Sequence, residues 1–207
     1  MLRIALTKGR LEKEATALLA RAGYDTAALA DKGRRLILPV GDDIEVMLAK
    51  APDVITYVIH GVCDMGIVGK DTIMEYGGSF YEVMDLGFGR CRFALAVPKG
   101  TDFYDDYTGH RLASKYPNVT RDYFARKGMD VGIIKIEGSV ELAPLLGLAD
   151  GIIDIVETGN TLKENGLEAI EDVAALSARL IVNTAAMKLK NHDIEAFIEN
   201  VSREVAL

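Results

Sequence analysis

The chain opens on a strand-like alternation, "LRIAL" (Leu2 to Leu6), rich in residues that favour β structure. A short polar turn follows and the period then lengthens. Leu11, Ala15, Leu18, Leu19 and Ala22 fall on one face of a helix, and Gly23 ends it. Further strands are expected at "RLILP", "IEVML", "DMGIV", "YEVMDL" and "RCRFALAV", with "PDVITYVIHG" reading as a helix between two of them. After Pro98 the pattern restarts. "RLAS" reads as a strand, Asn118 as the cap of a helix from Val119 to Lys127 that stops at Gly128, and "DVGIIKI" as the next strand. "SVELAPLLG" then reads as a short helix despite Pro144, and "GIIDIV" as another strand. Two more strand-like runs, "LEAIEDV" and "ARLIVN", precede a last amphipathic helix with Ile194, Phe197, Ile198 and Val201 on its buried stripe. This alternation predicts two α/β lobes, each a mostly parallel sheet covered by helices. With no Gly/Ser linker between them, the chain is expected to cross over and return, leaving a cleft where small ligands bind.

Composition narrows the functions. At 207 residues and 49% hydrophobic content the chain can bury a real core. A net charge of -7 gives no support to a general phosphate-neutralising surface, so any anionic ligand must be held by a few placed groups. Neither a nucleic-acid nor a membrane partner is expected: "FALAV" and "LLGLA" fall far short of the ~18 apolar residues of a span. Nothing at the N-terminus resembles an export signal, which points to the cytoplasm. Cys63 and Cys91 lack metal-ligand spacing and read as two buried, reduced thiols. His60, His110 and His192 are scattered, and neither cysteine has a catalytic signature around it, so nucleophilic catalysis is not expected.

Candidate chemistry concentrates at strand ends. In "DIVETGNTL" (Asp154 to Leu162) a strand runs into a helix start, where unpaired N–H groups attract an anion. Gly159 lets the backbone approach a phosphate, Thr158 and Thr161 add hydroxyls, and Asp154 or Glu157 accepts from sugar hydroxyls. Acids beside a phosphate turn suit a sugar phosphate better than a bare phosphate; a plain helix cap by Thr158 or Asn160 is the alternative. "TKGRL" puts Lys8, Gly9 and Arg10 after the first strand, either as a polyphosphate grip or as solvated charges. "GIVGKD" (Gly66 to Asp71) lacks Walker spacing and a Ser or Thr after Lys70, and reads only as a second glycine-rich turn. "ASKYP" and "EGSVE" bring Lys115, Tyr116 and Ser139 to strand ends of the second lobe, as ligand contacts or as turn and cap residues.

The blocks "LTKGRL", "DVITYVIHGVCDMGIVGKD", "ASKYPNVTRDYF" and "EGSVELAPLLGLADGIIDIVETGNTLKENGL" together resemble the ATP phosphoribosyltransferase family, enzymes of the first step of histidine biosynthesis. They run in the family's order from Leu6 to Leu167. The resemblance implies a two-lobed fold similar to periplasmic binding proteins with its active site in the interlobe cleft. Lobe one would be residues 1–89 plus 178–207, and lobe two residues 90–177. It further implies that Asp154, Glu157, Thr158, Gly159, Asn160 and Thr161 bind phosphoribosyl pyrophosphate. Lys8, Gly9 and Arg10 would grip pyrophosphate and nucleotide, with Lys115, Tyr116 and Ser139 as further contacts. Lys50 stands where relatives carry a basic residue, often arginine; a lysine there lacks the bidentate fork.

The implied reaction joins N1 of the adenine of ATP to the anomeric carbon of phosphoribosyl pyrophosphate with inversion. Asp154, Lys8 and Arg10 are its expected catalytic residues, and Mg²⁺ is expected to be held mainly through substrate with no protein ligand assigned. The chain resembles the short form of the family, which works with a regulatory subunit resembling histidyl-tRNA synthetase in a hetero-octamer; alone, a dimer is expected. Two rivals are a ligand-capture module and a salvage enzyme acting on a free base. Salvage enzymes usually carry two adjacent acids before the phosphate loop, whereas Asp154 and Glu157 are three apart.

Overall fold

Every residue of the run Met65–Gly69 is buried, as a strand covered on both faces requires. A computed structural model of the chain describes residues 1–105 and 109–205. Its elements are β1 (Leu2–Thr7), α1 (Arg10–Arg21), α2 (Ala27–Ala30), β2 (Ile37–Val40), β3 (Ile44–Ala49), α3 (Ala51–Ile59), β4 (Met65–Gly69), α4 (Lys70–Tyr76) and β5 (Phe80–Asp85). They continue with β6 (Cys91–Pro98), β7 (Arg111–Ser114), α5 (Pro117–Arg126), β8 (Gly132–Lys135), α6 (Leu142–Leu145), β9 (Gly151–Val156), α7 (Asn160–Glu164) and β10 (Leu167–Leu176). Last come β11 (Ala178–Asn183), α8 (Ala186–Leu189) and α9 (Asn191–Val205). The chain divides into two units: Met1–Gly89 with Ser177–Leu207, and Arg90–Leu176. Ser177 lies in the first because its carbonyl accepts from the Lys70 N–H and its hydroxyl donates to Asp85.

The first unit holds a sheet of order β2-β3-β1-β4-β11-β5. On one face Ile4, Leu6, Val46 and Ile67 pack with Leu18 and Leu19 of α1 and Phe197 of α9; on the other, Ala5, Val68 and Ile181 pack with Val54, Ile55 and Val58 of α3. The second unit holds a sheet of order β10-β6-β9-β7-β8, with Ala94, Ile152 and Val156 packed against Val140, Ala143 and Leu162. Beside it, the Lys127 ammonium just after α5 donates to both Glu171 carboxylate oxygens at 2.6 Å and ties that helix end to β10.

Several expectations need correction. The sheets are mixed, not mostly parallel. β1 runs parallel to β3 and β4, and β7 to β8 and β9, but β2–β3, β4–β11, β11–β5, β6–β9 and β6–β10 are antiparallel. A parallel pair needs a long crossover, and the few residues between β2 and β3 permit only a hairpin. The "GIVGKD" segment is no turn: Gly66 to Gly69 belong to β4 and α4 begins at Lys70. Gly66 instead lets α3 approach, since a Cβ there would come within 2.8 Å of Val54 and 2.9 Å of Val58. Asn118 does not cap α5, because Pro117 already occupies the first turn and Tyr116 the cap; the Asn118 side chain accepts from Arg121 instead. Cys63 is buried, but Cys91, at the start of β6, is only half-buried. The short helices α2, α4 and α8, of four, seven and four residues, are additional to the elements expected from the sequence. Among the described residues, no helix is long and apolar enough to cross a membrane.

Candidate active site

β9 carries Asp154 into a half-buried position, and the strand ends two residues later at Val156. The chain then turns through Glu157 and Thr158 to Gly159, whose φ of 78° and ψ of 4° lie in the left-handed region that glycine adopts without a Cβ penalty. α7 starts directly after it, so N–H groups of its first turn point outward without intrahelical partners. Glu141, Asp154, Ile155, Val156, Glu157, Thr158, Gly159, Thr161 and Leu162 line an open depression of about 280 Å³. The cap alternative receives little from the geometry. Asn160 N–H reaches Thr158 Oγ1 only at a long 3.4 Å, and the helix has no side-chain cap bond.

Burial pushes the Asp154 carboxyl up to about 6. The Ile155 backbone bond opposes that shift, Glu141 reinforces it by like-charge repulsion, and the Lys115 ammonium opposes it. In the sequence Glu141 falls within both "EGSVE" and the short helix "SVELAPLLG", with no role of its own. Its pairing with Asp154 depends on α6 packing beside β9, and no spacing between positions 141 and 154 announces that.

Under this site, Ser114 is fully buried at the end of β7. Its hydroxyl donates to the Ile153 carbonyl at 2.6 Å and accepts from the Tyr116 N–H at 2.9 Å. Ser114→Ala removes both of these buried hydrogen bonds, and we expect a loss of about 2 kcal/mol of stability, read as a lower denaturant midpoint at unchanged slope. An unchanged midpoint would mean that the bonds stabilise nothing.

The other candidates separate clearly. In the first unit, Thr7 on β1 pairs with Ala49 on β3, and the Lys8 N–H donates to the Ala49 carbonyl at 2.8 Å. Lys8 and Lys50 therefore lie side by side at the carboxyl ends of two parallel strands, both exposed. Gly9, at φ 100° and ψ -132°, caps α1, and Arg10 pairs with Glu14 at 3.2 Å. In the second unit, Lys115 is exposed and within the field of Asp154. Tyr116 has its ring buried in the core, edge-on to Phe93 at 4.7 Å. Ser139 is exposed at the turn into α6, where its carbonyl accepts from Leu142, and it is Glu141 from this segment that lines the depression.

Comparison with known proteins adds independent findings. The family model described as HisG, ATP phosphoribosyltransferase, matches residues 50–203. The ATP phosphoribosyltransferase of Clostridium kluyveri is 57% identical over 205 residues, 99% of this chain and 94% of that protein. That of Clostridium botulinum is 54% identical over 206 residues, 98% of this chain and 97% of that protein. Among solved structures, the ATP phosphoribosyl transferase (HisG:HisZ) complex from Thermotoga maritima matches with a TM-score of 0.85 at 35% identity, covering 100% of this chain and 99% of that one. The periplasmic aliphatic sulphonate binding protein SsuA of Escherichia coli matches with a TM-score of 0.62 at 13% identity, covering 100% of this chain and 72% of that one, a likeness of fold alone.

Proposed function

This chain belongs to the ATP phosphoribosyltransferase family and acts at the first step of histidine biosynthesis, and from that premise we propose how its residues make phosphoribosyl-ATP. The observation that carries the reading is the depression that joins Asp154 and Glu141 to the Gly159 turn. The 5-phosphate of phosphoribosyl pyrophosphate binds the outward N–H groups and hydroxyls from Thr158 to Thr161. Asp154, with Glu157 and Glu141 beside it, accepts from the ribose hydroxyls and orients the anomeric carbon.

Adenine N1 has a free lone pair at neutral pH, so its attack needs no general base. That agrees with a site built from carboxylates, hydroxyls and cations. As the new bond to N1 forms, the bond from the anomeric carbon to pyrophosphate breaks on the opposite face, giving inversion. Two problems remain for the protein: positive character on the ribose and negative charge on the departing pyrophosphate. The Asp154 carboxylate answers the first, and Lys8, Arg10 and Lys50 the second.

Mg²⁺ carried with phosphoribosyl pyrophosphate would supply charge neutralisation for the departing pyrophosphate. The donor set fits a metal carried by substrate: the carboxylates of Asp154 and Glu141 offer one or two hard oxygens, the number Mg²⁺ commonly takes from protein beside phosphates. No three His, Cys, Asp or Glu side chains converge as a cage among the described residues.

The Thermotoga maritima neighbour is a complex of two kinds of subunit, and by analogy this chain takes a regulatory partner resembling histidyl-tRNA synthetase. A biosynthetic reaction on ATP and phosphoribosyl pyrophosphate supports a cytoplasmic location. The test is formation of phosphoribosyl-ATP, followed by near-ultraviolet absorbance with ATP, phosphoribosyl pyrophosphate and Mg²⁺. The chain is assayed alone and with the candidate regulatory subunit. Turnover that rises with the partner and becomes sensitive to histidine is the expected result. A folded protein that forms no product under either condition overturns the assignment and restores ligand capture.

A further inference from the structure

One buried acid in the first unit is left without a task by the mechanism above. Glu12, in the first turn of α1, is 7% exposed. One carboxylate oxygen accepts from the Gly9 N–H at 3.3 Å, and the other meets the Lys32 ammonium. Lys32 belongs to the loop Asp31–Arg35, which closes on itself: the Lys32 carbonyl accepts from Arg35 N–H and Nε, and the Asp31 carbonyl from Arg35 Nη2. A single carboxylate thus joins the Lys8–Arg10 turn to a second cationic segment.

We propose that Glu12 is a positioning residue for the transfer reaction, fixing the Lys8–Arg10 turn through Gly9 and bracing it against Lys32. The inference rests on the reading of Lys8 and Arg10 as the pyrophosphate grip. The Glu12 bond to the Gly9 N–H is the capping-box half of the start of α1, and the buried tie to Lys32 goes beyond capping. A serine or threonine at position 9 would cap α1 with its own side chain, but at φ 100° Gly9 holds a backbone conformation that L side chains rarely adopt. Instead a glycine holds an open turn, and the bond to its N–H comes from a buried carboxylate that must be desolvated to supply it. Such a construction keeps the outer surface of the turn clear while preventing it from moving.

The experiment is a double-mutant cycle on the intact enzyme, assayed at saturating ATP and phosphoribosyl pyrophosphate. Glu12→Ala is expected to lower kcat by roughly tenfold or more with KM changed by less than about threefold, and the Glu12→Ala/Lys8→Ala double variant to be no worse than Lys8→Ala alone. Glu12→Gln keeps an oxygen for the Gly9 N–H and is expected to recover most of the rate. It also keeps the test decisive if the alanine variant does not fold. Losses that multiply in the double variant, or a lower melting temperature with wild-type kcat, overturn the proposal in favour of plain structural support. A disabled Lys8→Ala enzyme beside an unimpaired Glu12→Ala enzyme overturns this inference alone. Wild-type turnover in Lys8→Ala overturns the parent reading with it.

Discussion

Asp154→Asn is expected to lower turnover at saturating substrate by at least roughly tenfold, about 1.4 kcal/mol, while making the folded protein more stable above neutral pH. Both effects have one origin. Burial, with Glu141 nearby, holds the Asp154 carboxyl near 6, well above its ordinary 3.8. A group whose folded-state value is raised favours folding in its protonated form. Its contribution is fully present below about 3.8 and is lost as the pH rises through about 6. Above that window the carboxylate is a cost of up to ~3 kcal/mol at one pKa unit per 1.36 kcal/mol, and asparagine removes most of it. Melting curves of both proteins at pH 8 and pH 4 check this: the variant should melt several degrees higher at pH 8, by about 2–4 °C per kcal/mol, with the gap closing at pH 4. In the proposed ribose role the ionised form is the acceptor, so wild-type kcat/KM for phosphoribosyl pyrophosphate should fall as the pH drops below about 6. An unchanged rate in the variant would refute the ribose role. Equal melting temperatures at pH 8 would refute the desolvated environment.

Gly9→Ala is expected to reduce activity far more than stability. At φ 100° and ψ -132° the residue occupies a region that L side chains rarely adopt, and no neighbouring atom lies within 4 Å of the added methyl. The penalty is therefore conformational, about 1–3 kcal/mol, and the turn can escape it by rotating its own backbone. That rotation displaces Lys8 and Arg10 together. With Lys8 and Arg10 as the proposed pyrophosphate grip, alignment of their charge with the leaving group is lost and kcat should fall by roughly a hundredfold, as a displacement near 1 Å can cause. Circular dichroism should be unaltered and the melting temperature should drop by only a few degrees. Steady-state kinetics beside thermal denaturation separate the outcomes. A large stability loss with normal turnover in the folded fraction would assign Gly9 to α1 rather than to the site.

Much of the fold could be read along the chain because the signals are local. The alternation of β1, the single apolar face of α1 and the stripe of α9 each repeat within a few residues, and their burial follows that periodicity. The strand-to-helix turn from Asp154 to Thr161 was legible for the same reason: acid, hydroxyls and glycine are contiguous, and the geometry they require is a local one. Strand direction was not, because it depends on which edge a strand joins after a crossover; β11 pairs antiparallel with both β4 and β5 only on its return to the first unit. Tyr116 and Lys115 look alike beside one another in sequence. Only packing sends the ring onto Phe93 and leaves the ammonium in the field of Asp154. Local period and contiguous motif thus determine the elements, the glycine turn at Gly159 and the family to which they belong. The company each charge keeps was decided by tertiary structure alone: Glu141 beside Asp154, Lys50 beside Lys8, and Glu12 beside Lys32. Such pairs join residues distant along the chain, and electrostatic work depends on distance and desolvation, which exist only once the sheets have packed.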